Sequence, residues 1–234
     1  GVSIGDTLAA LHGVVGVMMA LYHRKVNGGP GQVIDVALHE AVFNIMESLL
    51  PEYSAFGAVR EAAGSALPGI APSNAYPCLD GWVLVAGNGD SIFKRLMTAI
   101  ERQDLADAPD LADNAGRVAR VAEIDGAIGD WTRVRTVQAV MEELGNARVP
   151  AGKVYTAKDI AEDPHYHARE MILTQRTRDG FEVKVPGVVP KLSLTPGTVR
   201  SSAPHVGDDT DAVLAEVGLS AEQIAQLRAK GIIQ

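Results

Sequence analysis

Leu8, Leu11, Val15, Met18, Met19 and Tyr22 recur at helical spacing and predict a helix over residues 6–26, with Asp6 as its N-cap. A second stripe on the same segment is made of small residues: Ala9, Gly13, Gly16 and Ala20. A glycine in a helix costs about 1 kcal/mol relative to alanine, which makes sense where another backbone comes close. A helix apolar on one face and small on another is expected to be buried. Its cover would come from elsewhere in the chain, from another subunit, or from a segment ahead of it. The uninterrupted apolar run, residues 7–22, contains His12 and falls short of the about 20 residues that span a membrane. Residues 27–31 (NGGPG) read as a turn, residues 32–38 (QVIDVAL) as a β-rich run, and residues 39–50 as a return to helical period. Residues 57–75 are rich in Gly, Ala, Ser and Pro and read as a linker. A domain boundary is placed near residue 70.

In the next region, residues 76–86 predict a short hairpin turned at Asp80-Gly81. The sequence Gly87-Asn88-Gly89-Asp90 follows, and then an amphipathic helix over residues 91–100. Further helices are predicted at about 118–131 and 134–146, a strand within 149–155, a short helix at 156–161, and another starting at Asp163-Pro164. Residues 172–176 and 181–185 flank Asp179-Gly180, a strong hairpin signal. Pro186, Pro190, Pro196 and Pro204 then impose an extended path. The end is helical: residues 208–217 stop at Gly218, and residues 220–230 open on a Ser220/Gln223 capping box and stop at Gly231.

Composition narrows the class. The chain has 234 residues, 47% of them hydrophobic, enough for one large domain or two small ones and too apolar for a disordered chain. With 21 Lys+Arg against 29 Asp+Glu the net charge is −8, which argues against a nucleic-acid partner because nothing offsets phosphate repulsion. The single cysteine, Cys78, excludes an internal disulfide framework and a Cys-based zinc site, and fits a cytoplasmic location. The chain starts at Gly1, without a charged n-region or a signal-type apolar stretch, and is expected to be soluble.

Among candidate chemical groups, residues 87–90 stand out. They lie between an apolar strand and a helix N-terminus, where backbone N–H groups and the helix dipole favour negative charge or a developing oxyanion. Two glycines would let a substrate approach the backbone; the plain alternative is a strand–helix turn with Asp90 as N-cap. His165 and His167, beside Glu162 and Asp163, are two apart and do not share a helix face, so a solvated helix end is expected rather than a metal site. His12 and His39 lie in helical runs and read as core or interface histidines. Cys78 reads as a small buried hydrophobe. Asp35, in an apolar strand, would be a structural ion-pair member or a site residue. His23-Arg24-Lys25 complements a helix C-terminus and could also hold a phosphate. No triad, carboxylate pair or G-x-S-x-G elbow is present.

In order along the chain, Ile4-Gly5-Asp6, Leu21-Tyr22-His23-Arg24, the segment Gly29-Pro30-Gly31-Gln32-Val33-Ile34-Asp35-Val36-Ala37-Leu38, and Tyr76 with Asp80-Gly81-Trp82 resemble landmarks of the class III CoA-transferases. Arg148-Val149-Pro150-Ala151-Gly152-Lys153-Val154 is similar to the family's VPAGPV element, with Lys153 in place of proline. Asp163-Pro164 and Ala168-Arg169-Glu170-Met171 resemble its DPH…ARGM element, with Glu170 in place of glycine. Ala203-Pro204-His205-Val206-Gly207 and Gly231-Ile232-Ile233 resemble its C-terminus.

The resemblance implies an α/β fold: part of a Rossmann-like large domain with an inserted smaller α+β domain. Residues 1–60 would close the first large-domain segment, 61–70 would be a linker, 71–170 the small domain, and 171–234 a linker and returning large-domain segment. The chain then reads as the C-terminal portion of a longer protein that forms an interlocked homodimer. The implied substrates are an acyl-CoA and a carboxylic acid, with CoA as substrate and no further cofactor, no metal, no nucleic acid and no membrane. The family's attacking aspartate would lie upstream, so no catalytic residue is assigned and this chain alone is expected to be inactive. Gly87, Asn88, Gly89 and Asp90 are assigned to substrate binding, as the loop that covers the reacting carbonyl. The loop lacks the run of consecutive glycines of formyl-CoA transferases. Two alternatives stay open: an α-methylacyl-CoA racemase, for which Asp90 would serve as acid/base where that branch carries a Glu-Pro pair, and a non-catalytic partner of the transferase assembly.

Overall fold

The structure, a computed structural model, describes residues 1–234 and divides into two compact units, Gly1–Pro68 and Gly69–Gln234. In the first unit, α1 (Ile4–Val26) is followed by an irregular stretch, then α2 (Leu38–Asn44) and α3 (Leu49–Phe56). The predicted first helix is present, but Ser3 rather than Asp6 holds the N-cap position; Asp6 lies in the first turn, where a carboxylate complements the dipole. The two stripes of α1 have opposite fates. The small stripe faces the rest of the unit: the Ile34 side chain fills the space above Gly16, where a Cβ would sit 2.9 Å from it. The His12 ring meets Leu8 O at 2.8 Å and Asn44 Oδ1 at 3.4 Å. The large apolar stripe is open, with Met19 67% exposed. At 23 residues, α1 exceeds the apolar run seen in the sequence and is long and apolar enough to cross a membrane by length and composition, a test that core helices of soluble proteins also pass.

Two expectations for this unit are overturned. Residues 32–37 form no strand, because no neighbouring strand in the chain offers them a ladder. Asp35 is consequently exposed rather than buried, and His39, on α2, is exposed as well, which sets aside the core role and leaves the interface one. The helix predicted over 39–50 is broken at residues 45–48, where Glu47 takes a left-handed φ of 50°. Beyond α3, Arg60 Nε donates to Glu52 Oε2 at 2.7 Å and its Nη2 to Ser48 Oγ at 2.8 Å, clipping the following segment to the helix.

The second unit is built on a three-stranded antiparallel sheet of order β1 (Ser73–Pro77), β2 (Trp82–Ala86), β3 (Ala151–Lys153). Alternation along β2 sends Val83 and Val85 into the core and leaves Trp82 and Leu84 outside. Against that inner face pack α4 (Asp90–Ala99), α5 (Gln103–Ala106), α7 (Val121–Arg133) and α8 (Val137–Asn146), while α6 (Asn114–Ala119) buries Arg117. Their buried residues recur every three or four positions: Phe93, Leu96 and Met97 on α4, Ile124, Ile128 and Trp131 on α7, Val137, Val140 and Leu144 on α8. The Tyr76 hydroxyl donates to Asp125 Oδ1 at 2.7 Å and ties β1 to α7. After β3 come α9 (Ala157–Glu162), opened by a Thr156/Asp159 capping box, and α10 (Pro164–Ala168), then the hairpin β4 (Ile172–Arg176) and β5 (Glu182–Pro186). The chain ends in α11 (Thr210–Glu216) and α12 (Ala221–Ala229), the latter opened by the expected Ser220/Gln223 box. Strand pairing is antiparallel throughout, in two small sheets, so the fold is a mixed α/β one.

Candidate functional site

Residues 87–90 connect the central strand β2 to α4. Gly87 is buried, and its N–H donates to Pro72 O at 3.0 Å. A Cβ on Gly87 would lie 2.5 Å from Leu96 Cδ2 and 3.0 Å from Pro72 Cγ. Its smallness therefore serves packing. Gly89 faces more open space, with only Ile92 within reach, its Cδ1 3.2 Å from a Cβ placed there. The expectation that Asp90 caps the helix is corrected: Gly89 is the N-cap, in an extended conformation, and Asp90 is the first helical residue. No side chain caps α4, and the N–H groups of Asn88 and Gly89 donate to no acceptor in the chain. An uncapped helix start with unpartnered N–H groups is an anion- or oxyanion-stabilising arrangement.

The side chain of Asp90 is committed elsewhere. Its Oδ1 accepts from Arg117 Nη2 at 2.7 Å, and the same nitrogen donates to Asn88 O at 2.8 Å. Arg117 is fully buried, although Asp90 is largely exposed. Its remaining donors reach Ala71 O (3.1 Å), Leu111 O (3.1 Å) and Ala112 O (3.2 Å), and its guanidinium carbon lies 5.1 Å from the centre of the Phe93 ring. Asn114, on the same helix, holds the same stretch from its other side, accepting from Ala71 N and donating to Gly69 O. Arg117 was missed in the sequence because arginines are usually on the surface. No periodicity singles it out either: it precedes the helix expected at about 118–131 and lies on α6, a helix separate from the one that carries Ile124 and Ile128.

Beside the loop, a groove on the outer face of α4 is lined by Ser91, Lys94, Arg95, Asn146 and Arg148. Arg95 is held there by Ala147 O at 3.1 Å and Arg148 O at 3.0 Å, and Lys94 pairs with Asp107 at 2.9 Å. A second cluster joins the segment after β3 to α10. Lys153 Nζ meets Asp159 Oδ1 at 2.6 Å and holds that carboxyl, together with Thr156, well below the usual carboxylate range. The Tyr155 hydroxyl donates to Asp163 Oδ2 at 2.5 Å, and Asp163 caps α10 by accepting from His165 N at 2.6 Å. His165 and His167 are exposed, and the His167 ring meets Ala161 O at 2.8 Å. Cys78 is half-buried, and burial, then Asp80, pushes its thiol up. Within the second unit, neither Cys78 nor the histidines of α10 are hydrogen-bond partners of residues 87–90. No group of three or more His, Cys, Asp or Glu side chains is placed to hold a metal ion.

Residues 1–210 match the sequence pattern of CoA-transferase family III. The chain belongs to that family. It is 41% identical to the succinyl-CoA–D-citramalate CoA-transferase of Chloroflexus aurantiacus, over 100% of this chain and 58% of that protein. It is 36% identical to the succinyl-CoA–L-malate CoA-transferase beta subunit of the same organism, over 99% of this chain and 58% of the relative. Among solved structures it is similar to a CaiB/BaiF family protein from Brucella suis, with a TM-score of 0.76 and 28% identity over 93% of this chain and 56% of that one. The family III chain thus spans 58% of the length of these curated relatives. The Gly87-to-Asp90 connection and its Arg117 anchor lie within the matched residues.

Proposed function

We propose that this chain is part of an enzyme that moves CoA from an acyl-CoA thioester to a carboxylic acid, and that residues 87–90 cover the reacting carbonyl. Membership of CoA-transferase family III over residues 1–210 carries the reaction class. The unpartnered N–H groups of Asn88 and Gly89 at an uncapped helix start support the role of the loop. Relatives named for succinyl-CoA with D-citramalate and with L-malate support succinyl-CoA as donor and a hydroxylated dicarboxylate as acceptor.

In this reading an aspartate, supplied by the part of the longer family proteins that this chain does not span, attacks the thioester carbonyl carbon. The C–S bond breaks and CoA leaves as its thiolate, giving a mixed anhydride. The thiolate then attacks the aspartyl carbonyl and releases the donor carboxylate, leaving an aspartyl-CoA thioester. The acceptor carboxylate attacks that thioester in turn, and the returning thiolate takes the acceptor's acyl group and frees the aspartate. Each attack places negative charge on a carbonyl oxygen. The loop's part is to offer fixed N–H dipoles to that charge and to keep water from the anhydride. The same reading assigns residues 1–60 and the returning segment to a Rossmann-like large domain, with residues 71–170 as the inserted small domain, and seats two copies of the longer protein in an interlocked dimer.

The test uses a longer protein that contains this chain. Incubation with succinyl-CoA and hydroxylamine is expected to trap the attacking carboxylate as a hydroxamate, and D-citramalate or L-malate is expected to receive CoA. Absence of trapping together with α-proton exchange in deuterated water would assign the racemase reaction instead. The 234-residue chain alone is expected to show no turnover, and measurable transfer by it would refute an upstream nucleophile.

A further inference from the structure

We infer that Arg117 is a positioning residue that aims the Gly89 N–H at the reacting carbonyl. This goes beyond the loop assignment above and rests on it. A guanidinium carries five N–H donors, and all of those of Arg117 are used: Nε on Ala71 O, Nη1 on Leu111 O and Ala112 O, Nη2 on Asn88 O and Asp90 Oδ1. The group is fully buried, and its carboxylate partner, Asp90, sits in solvent with 71% of its side chain exposed. A charge placed inside a domain for stability alone is commonly replaceable by an apolar side chain without loss. Here the charge joins three separate segments that no apolar side chain would join: residue 71 ahead of β1, the turn at residues 111–112, and the loop at residues 88–90.

The geometry at Asn88 gives the link to chemistry. The Asn88–Gly89 peptide is trans. In a trans peptide the C=O and the following N–H point in opposite directions. Arg117 draws Asn88 C=O into the domain at 2.8 Å. The Gly89 N–H on the same peptide plane is thereby turned away from Arg117, and it has no acceptor in the chain. Two neighbouring restraints leave that plane little freedom: Gly87 N–H is held by Pro72 O at 3.0 Å, and Gly89 O accepts from Phe93 N at 2.7 Å. Lysine cannot reproduce this, since an ammonium has three donors and no planar fork.

The experiment compares Arg117→Lys, Asp90→Asn, the double variant and Gly89→Val in a longer protein that contains this chain, by steady-state CoA transfer and by amide hydrogen exchange. For Arg117→Lys, kcat is expected to fall about 10- to 100-fold, the range that a misplaced catalytic contact produces, with KM for the acyl-CoA within about threefold. Exchange at Gly87 and Phe93, the hydrogen-bonded amides at the two ends of the loop, is expected to quicken while amides of α7 and α8 stay protected. Asp90→Asn is expected to lower kcat in the same sense, and the double variant to lose no more than Arg117→Lys alone, because both act through one link. A purely structural Arg117 would quicken exchange across the whole core and leave kcat per folded molecule unchanged, and that result would overturn the inference. If Arg117→Lys does not fold, Asp90→Asn decides, since its carboxylate is outside the core: unaltered exchange at Gly87 and Phe93 together with unaltered kcat sinks the proposal. Gly89→Val tests the loop reading separately. If it leaves turnover intact, the loop assignment itself fails. If it lowers turnover while the Arg117 and Asp90 variants do not, the loop stands and the role of Arg117 falls.

Discussion

A Cβ on Gly87 would enter the van der Waals shell of Leu96 and Pro72, whereas a Cβ on Gly89 would meet the Ile92 side chain, 3.2 Å from its Cδ1 and 3.8 Å from its Cβ. The two glycines of one short loop therefore answer to different demands, packing for Gly87 and access for Gly89. Gly87→Ala is expected to cost about 1–3 kcal/mol, the usual price of overpacking, because Leu96 is fully buried and has nowhere to move. Gly89→Ala replaces an N-cap glycine and is expected to cost about 0.5–1 kcal/mol, less than Gly87→Ala, while lowering transfer activity in the longer protein. Chemical denaturation of both variants, run beside the activity assay, separates the effects, and equal destabilisation by both would contradict this division. The sequence showed that the loop existed, because an apolar strand, two glycines and an amphipathic helix follow one another there. It did not show which glycine does what, since that depends on Leu96 returning over the loop from the helix that follows. Nor did it show Arg117, whose burial depends on carbonyls from residues 71, 88, 111 and 112 converging on one point.

At the scale of elements, amphipathic helices were legible and strand pairing was only partly so. α7 and α8 follow directly from the spacing of Ile124, Ile128 and Trp131 and of Val137, Val140 and Leu144. The hairpins β1–β2 and β4–β5 follow from their Asp-Gly turns. Residues 32–38 have the composition of a strand but no partner to pair with, and composition cannot supply one. Two junctions between elements yield predictions. Tyr76 is buried at the β1–α7 contact, and burial, then Asp125, pushes its phenol far above the ordinary tyrosine range. Tyr76→Phe removes a donor to Asp125 and is expected to cost about 1–2 kcal/mol in denaturant unfolding, with no change in fold by circular dichroism. At the α3 clip, bonds from Arg60, then from the Ser48 hydroxyl, hold the Glu52 carboxyl down to about 2, from an ordinary 4.5. A carboxyl lowered in the folded state stabilises it above its ordinary value, and that contribution is lost as pH falls through the folded value. The clip is therefore expected to weaken between pH 4.5 and about 2 and to be intact at neutrality. An NMR titration of the Glu52 side-chain carbonyl checks this directly, and Arg60→Gln should move the midpoint back toward 4.5. A wild-type midpoint already near 4.5 would show that the clip does not hold in solution.

At the scale of the whole molecule, the question is what covers α1. The sequence showed a helix with two faces, and the structure decides which is used within the chain: Ile34 covers the small stripe at Gly16, and the large one is left open. Leu11, Val15, Met18, Met19 and Tyr22 are each more than half exposed, and together with Val14 they line one side of the helix. A contiguous apolar surface of this kind marks an interface rather than a solvated face. The chain spans 58% of the length of these curated relatives, and on the function proposed above the face is covered by the part of the longer family proteins that the chain does not span. The prediction is that the 234-residue chain binds a hydrophobic dye and sediments as species heavier than 24.7 kDa. Val15→Glu with Met19→Glu should reduce both properties, because each places a carboxylate on the open stripe. In a longer protein that contains this chain, the dye signal should vanish and the same pair of substitutions should impair folding, since the stripe would then be buried. Flotation of the 234-residue chain with phosphatidylcholine vesicles would instead assign the face to lipid, consistent with the length of α1. A monodisperse monomer that binds neither dye nor vesicles would mean that the stripe tolerates water and that no cover is needed.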